Sequence, residues 1–271
     1  MTFNFLPKNK SPGFTLVEVL MVIVLMSILS VVSISLVSSS LDEARFNETT
    51  AKLQQVRDAM IGNSEIREAR TRTSFGFLGD VGAIPNAAQG ITSLIINPAL
   101  PAYAVLSSVR FGIGWNGPYL SGGAGSDFTK DAWGRIIVYN PAASPPTLLS
   151  YGADGIAGGT AFDQDISVSL PPVLTVSSLS GFICKSGGPF LDFVQVELNV
   201  PNGSGALTQS EVMVTPGDKG AFAFSAVPFG IRSITVYVPS KAAPTQTLGP
   251  VLITVDKPNY LVPCNLIDVS P

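Results

Sequence analysis

The sequence predicts an α+β protein in which one long N-terminal helix, apolar in its first half, leads through a mixed region into an all-β sandwich. Three observations carry this reading. Residues 14–37, FTLVEVLMVIVLMSILSVVSISLV, run for 24 positions with Glu18 as the single charge. Residues 38–63, SSSLDEARFNETTAKLQQVRDAMIGN, contain no proline and repeat Phe46, Leu53 and Met60 every seven residues, with Val56 between them. That pattern makes an apolar stripe on a polar helix, which we expect to continue to about residue 70. After Pro171 and Pro172, the runs FVQVELNV, EVMVTP, AFAFSAVP, SITVYVP and VLITV alternate in strand fashion between closely spaced turn signals. Such spacing points to a small β-sandwich.

Composition narrows the function classes. Only 13% of residues are charged, about half the roughly 25% of soluble domains, and the mean hydropathy is +0.38. Such a chain has either a membrane segment or large subunit contacts. The net charge of -3 and the lack of any dense basic run argue against a nucleic-acid partner. There is no histidine, so serine triads and HExxH zinc sites are excluded. The glycine clusters at 121–125 and 155–159 lack the spacing of a phosphate loop. Asp163 and Asp165 form a carboxylate pair of the kind a glycosidase uses, but an Asp-rich loop is far more often solvated or metal-bound. We expect no enzyme.

The first 13 residues, MTFNFLPKNKSPG, are short, with Lys8 and Lys10 ahead of the apolar run. At 1.5 Å per residue, 24 helical residues span roughly 36 Å, enough for a bilayer. The positive flank predicts a cytoplasmic N-terminus and an exported body. An ordinary signal peptide has a shorter apolar core that ends in a small-residue cleavage site. Here the small residue, Gly13, precedes the core.

Glu18 needs a partner, because a lone carboxylate in hydrocarbon costs about 2.5–3.5 kcal/mol on insertion scales. Cleavage after Gly13 would free the Phe14 amine four residues away, in the same chain or a neighbour. The alternative is an interfacial Glu at the end of an ordinary anchor.

Gly13, Phe14, Thr15, Leu16 and Glu18 resemble the prepilin cleavage motif of type IV pilins and type II secretion pseudopilins. The resemblance implies cleavage between Gly13 and Phe14 by a prepilin peptidase, N-methylation of Phe14 and filament assembly through Glu18. Its implied partners are other pilin-like subunits and an inner-membrane assembly platform. It also implies a pilin fold, with the long helix packed on a small antiparallel sheet. Many relatives carry proline where this chain has Ser35, so helix melting there is not implied.

A second set of residues resembles the C-terminal half of the major type II secretion pseudopilin. These are GPYL at 117–120 together with Asp131, Trp133, Gly134, Ser150, Gly152, Asp154, Gly155 and Asp165. That family implies a calcium site in the loop. On chemistry alone, Asp154, Asp163 and Asp165 supply carboxylates, and carbonyls near Ser150 and Tyr151 add oxygens. The spacing is not that of an EF-hand, and a solvated acidic turn is the alternative.

Between these segments, Gly79, Gly82 and Pro85 punctuate a loop, and Asn86 is placed to cap a short helix over 87–96. Gly220, Phe222, Phe224, Pro228 and Gly230 resemble the carboxypeptidase-regulatory or transthyretin-like sandwich family, a likeness of fold only. Cys184 and Cys264 lie near the two ends of this module. Export favours a bridge, which would close about 80 residues and add roughly 4 kcal/mol; two buried thiols are the alternative.

The expected organisation is a leader (1–13), a long helix (14–74) with a transmembrane half (14–37), a pilin-like globular domain (75–170) and a sandwich (171–271). Three roles fit it: a filament subunit, a minor subunit whose sandwich binds a partner, and a tethered periplasmic enzyme. Only the last makes Glu18 incidental.

Overall fold

Helix α1 (Leu16–Ile61) starts where Thr15 and Glu18 cap each other's backbone and runs 46 residues without a proline. The computed structural model describes residues 13–122 and 127–269, with the side chains of 30–37 excepted. The leader residues 1–12, the 123–125 part of the glycine run and the Ser35 side chain therefore lie outside the described residues. The second half of α1 is seated on the body of the protein. Leu53, Val56 and Met60 are fully buried, and Thr49 is buried beside them.

The helix ends at Ile61, not near residue 70. Gly62 takes φ +79°, and a side chain there would collide with the Ser74 carbonyl. Its N–H donates to the Asp58 carbonyl at 2.7 Å, while the Asn63 side chain accepts from the Glu65 N–H. The last carbonyls of a helix have no partner within it, and Arg72 supplies one. Its guanidinium donates to the carbonyls of Ile61, Gly62 (3.0 Å) and Ser74 (2.7 Å). The same group lies over the rings of Phe75 and Phe229, and the Arg72 N–H reaches Asp256. A two-residue hairpin, β1 (Arg67–Glu68) with β2 (Thr71–Arg72), brings this arginine back to the helix end.

Helix α2 (Gly76–Val81) then packs against α1, burying Phe77, Leu78 and Val81. Gly82 stops it at φ +96°, pressed so close to the Pro201 carbonyl that a Cβ has no room. The helix expected at 87–96 is a turn followed by a 3-10 segment, Ile91–Leu94. The Asn86 side chain does accept from the Ala88 and Gln89 N–H groups, but Gly90 at φ +58° breaks the run.

A short pair, β3 (Ala104–Leu106) and β4 (Phe111–Ile113), follows. Next comes an antiparallel sheet, β5 (Val138–Asn140), β6 (Thr147–Ser150) and β7 (Ile166–Ser169), in that spatial order. α1 lies on β6 and β7.

Past Pro171 and a 3-10 turn at Pro172–Leu174, the chain forms two facing sheets. β8 (Val176–Phe182) precedes a small hairpin, β9 (Cys184–Lys185) and β10 (Gly188–Pro189). β11 (Val194–Pro201), β12 (Leu207–Val214), β13 (Ala221–Pro228), β14 (Gly230–Val238), β15 (Gln246–Val255) and β16 (Tyr260–Val262) follow. One sheet runs β12-β11-β14-β15 and the other β13-β8-β16, where β16 pairs parallel to β8. Val196, Leu198, Ile234 and Val236 of the first sheet and Leu179, Phe222, Phe224 and Val262 of the second supply buried side chains to one core. Cys184 and Cys264 are joined in a disulfide, with their Cα atoms 5.7 Å apart.

The sandwich is not a separate bead. Its buried residues are continuous with those of α1 and α2. Arg232 on β14, fully buried, donates to the carbonyls of Pro228, Phe229 and Ile231 and across to Gly79 of α2 at 3.0 Å. Replacing Arg72 with Met should lower the unfolding free energy by roughly 2–4 kcal/mol, because three carbonyls lose a charged donor. The readout is the urea midpoint at unchanged slope. A wild-type midpoint would mean that the helix end is satisfied without Arg72.

Candidate assembly site

The start of α1 is bare. Gly13 has no atom within 4 Å of where a Cβ would sit, and Phe14 is 83% exposed. From Leu16 to Leu29 the large apolar side chains are exposed on every side of the helix. Ser27 folds its hydroxyl back onto the Ile23 carbonyl at 2.6 Å, so it adds little polarity to that surface. A helix apolar all round belongs inside a protein assembly or a membrane. Among the described residues no helix is long and apolar enough to cross a membrane. The span expected at 14–37 includes 30–37, whose side chains lie outside that description.

Glu18 is engaged by its own helix. Its carboxylate accepts from the Thr15 N–H at 3.4 Å, and the Thr15 hydroxyl accepts from the Glu18 N–H at 3.3 Å. This capping box satisfies two orphan donors and places a negative charge at the positive end of the helix dipole. Sequence reasoning gave Glu18 to the Phe14 amine or to a membrane interface and missed this cap, whose signal is the T-x-x-E spacing.

The lower half of α1 is held by the loop around Asp131. Asp131, buried, accepts from the N–H groups of Trp133 (3.0 Å) and Arg135 (2.8 Å) and from the Ser150 hydroxyl (2.7 Å). The loop so shaped docks on the helix at three points. The Ala132 N–H donates to the Thr49 hydroxyl, the Trp133 indole donates to Asp42, and Lys52 donates to the Lys130 carbonyl. Asp131, Trp133, Gly134 and Ser150 thus act together to shape the loop that seats α1.

The acidic loop beyond β6 folds on itself. Asp154 accepts from the Ile156 N–H and Asp165 from the Gly158 N–H. Gly152 and Gly159 pack directly on the Asp163 backbone. The Ser150 side chain turns away to Asp131, and the Tyr151 carbonyl accepts from the Gly155 N–H. Among the described residues no three acidic side chains stand close enough to share a metal ion.

Three functional-looking groups were missed from sequence: Arg72, Arg232 and Asp80. Asp80 and Arg232 are each a single charge inside an apolar stretch, FGFLGDVG and FGIRSITVYV, whereas Arg72 sits in the polar run IREARTRT and carries no such signal. The lone charge is the one signal that could have found Asp80 and Arg232. Burial pushes the Asp80 carboxyl up to about 6, against the lowering effects of Tyr119, Asn116 and Arg232. Burial likewise pushes Arg232 down to about 9, opposed by the charge of Asp80, so Arg232 stays protonated at neutral pH.

A long helix, bare and apolar in its first half and seated by its second half on a small antiparallel sheet, defines the pilin-like class of filament subunits. Residues 37–169 match the family described as Type II secretion system (T2SS), protein G, and residues 8–34 match the Prokaryotic N-terminal methylation motif. Over these residues the chain is similar to the type II secretion pseudopilins, and the sandwich follows the matched region. That family is structural and builds filaments with other pilin-like subunits. No curated protein matches the chain.

Asp80 makes a pH prediction. Its folded pKa of about 6 lies above the ordinary 3.8, so the stability contributed by its neutral form is complete below 3.8 and is lost as pH rises through 6. Wild type should therefore lose thermal stability relative to Asp80→Asn across that window. Parallel melting profiles for the two proteins would refute the assignment.

Proposed function

We propose that the chain is made as a prepilin, cut between Gly13 and Phe14 by a prepilin peptidase, methylated on the Phe14 amine and assembled into a type II secretion pseudopilus. The observation that carries this reading is the methylation-motif match over 8–34, which coincides with the bare apolar start of α1. Before assembly, residues 14–37 anchor the chain in the inner membrane, with the N-terminus cytoplasmic and the folded body in the periplasm. During assembly the same apolar surface passes from lipid to neighbouring helices. A free amine at Phe14 would sit at the positive end of α1, where a cation is disfavoured. Glu18 of the same helix already accepts from the Thr15 N–H. The amine is therefore best met by the Glu18 carboxylate of a neighbouring subunit, which sets the axial stagger.

The sandwich lies beyond the matched residues 37–169, and this favours a specialised subunit that displays it on the filament surface or tip. Abundance along the shaft separates that role from the major subunit's.

Co-expression with a prepilin peptidase tests the first step. The mature protein should begin at Phe14 and carry an extra methyl group by intact mass. Glu18→Ala should still insert and be cut, yet be absent from sheared filaments. A chain starting at Met1, or Glu18→Ala present in filaments at wild-type level, would overturn the reading.

Calcium forms a further part of this proposal. Its support is the oxygen supply of Asp154, Asp163 and Asp165 in a glycine-rich loop, once their backbone contacts are exchanged for the ion. Millimolar calcium should then raise the melting temperature by about 2–4 °C in wild type and not in Asp163→Ala/Asp165→Ala. No calcium-dependent shift in wild type would remove the ion from the proposal.

A further inference from the structure

A cavity of about 470 Å³ opens where the end of α1, helix α2 and the sandwich meet. Phe75 and Asp80 line it from the α2 side, Tyr103, Asn116 and Tyr119 from the segments around β3 and β4, and Ile231 from β14. Its polar centre is held in place. The Tyr119 hydroxyl donates to the Asp80 carboxylate at 3.0 Å and accepts from the Asn116 N–H at 2.9 Å. The Tyr119 ring is wedged edge-on between Phe77, at 5.6 Å, and Trp115, at 6.0 Å. Tyr103 lies against Gly112, where any side chain would strike its ring, and stays 38% exposed.

The Asp80 carboxylate has no ion-pair partner among the described residues. Arg232, the cation whose charge reaches it, directs its N–H groups to the carbonyls of Gly79, Pro228, Phe229 and Ile231. Arg72 directs its own to Ile61, Gly62 and Ser74. A half-buried carboxylate without a counter-ion, flanked by two fixed phenol rings, complements a desolvated organic cation. Phe75 and Ile231 offer apolar surface for the cation's stem.

We propose that this cavity binds an alkylammonium group on a short apolar stem, with Asp80 as its counter-charge and Tyr103 and Tyr119 as its aromatic walls. The volume lies within the usual range of small-ligand sites, about 300–1,000 Å³. The amine can arrive as a lysine side chain of a partner polypeptide or as a free small amine; the recognition chemistry is the same. Tyr103, Tyr119, Asn116 and Arg232 are the polar and charged groups facing Asp80. None of them gains a negative charge near neutral pH, so loss of binding in mild acid would report Asp80.

The test titrates the full chain, in non-ionic detergent micelles at pH 7.5, with n-butylammonium chloride. Butan-1-ol serves as the uncharged control, and an acetylated, amidated Gly-Lys-Gly peptide as the second cation. Saturable heat with butylammonium and none with butanol is expected. Asp80→Asn should weaken binding by about tenfold or more, and Tyr103→Ala by about three- to tenfold. Lowering the pH to 5 should weaken wild type and leave Asp80→Asn unaffected. The peptide binding more tightly identifies a protein side chain as the source, and the free amine binding more tightly identifies a small molecule; either order upholds the site. Absence of saturable butylammonium binding, or equal binding by Asp80→Asn, would overturn it. Tyr103 stands at the exposed mouth, so Tyr103→Ala keeps the test open if Asp80→Asn fails to fold.

Discussion

A helix of 46 residues leaves carbonyl groups without partners at its C-terminal end, and in this protein that end is buried. Water cannot reach it, so a side chain must. Arg72 is the group that does so, satisfying Ile61, Gly62 and Ser74 from a position stacked on Phe75 and Phe229. The rest of the body depends on that closure. The β1–β2 hairpin exists to return Arg72 to the helix, α2 starts immediately after it, and Phe229 and Asp256 bring the sandwich to the same point. Arg232 repeats the device one layer on, tying β14 to Gly79 of α2. A positive charge at a helix C-terminus is also favoured by the helix dipole. A single guanidinium there both satisfies hydrogen bonds and complements charge.

The two halves of α1 have opposite requirements. The lower half is amphipathic, and its stripe meets the sheet and the loop organised by Asp131. From Leu16 to Leu29 the upper half leaves its large apolar side chains exposed. Its apolar side chains cover every face, and its one carboxylate is drawn to the backbone at its start. Such a helix cannot be at rest alone in water, so its burial must come from outside the subunit. The match to the pseudopilin family model and to the methylation motif spans this same helix and the body that seats it.

The sandwich changes what the subunit can display. It shares a continuous buried core with the body, so forces on one part reach the other. The disulfide between Cys184 and Cys264 closes the module near both of its ends. The seam between sandwich and body also holds two charges strongly perturbed by burial, Asp80 and Arg232. Burial of that kind is costly and marks a place where charge has a use.

Much of this was legible from local patterns. The apolar run at 14–37, the stripe of Phe46, Leu53, Val56 and Met60 and the alternating strands after Pro172 are all signals within one segment. The helix end was misread because Gly62 and Asn63 close a run whose following residues remain polar and free of proline. Their stop signal acts only with Arg72, ten residues on. The helix expected after Asn86 gave way to Gly90. Asp154, Asp163 and Asp165 share a loop in the sequence, but how their oxygens are used depends on backbone contacts such as Asp165 with Gly158. The sequence by itself determined the helix, its bare apolar half, the sandwich and the likeness to pseudopilins, because each rests on spacing within one segment. Only the tertiary structure decided the two buried arginines, the Asp131 clamp and the cavity around Asp80. Those depend on residues far apart in the chain, such as Arg232 and Gly79, meeting where water is excluded.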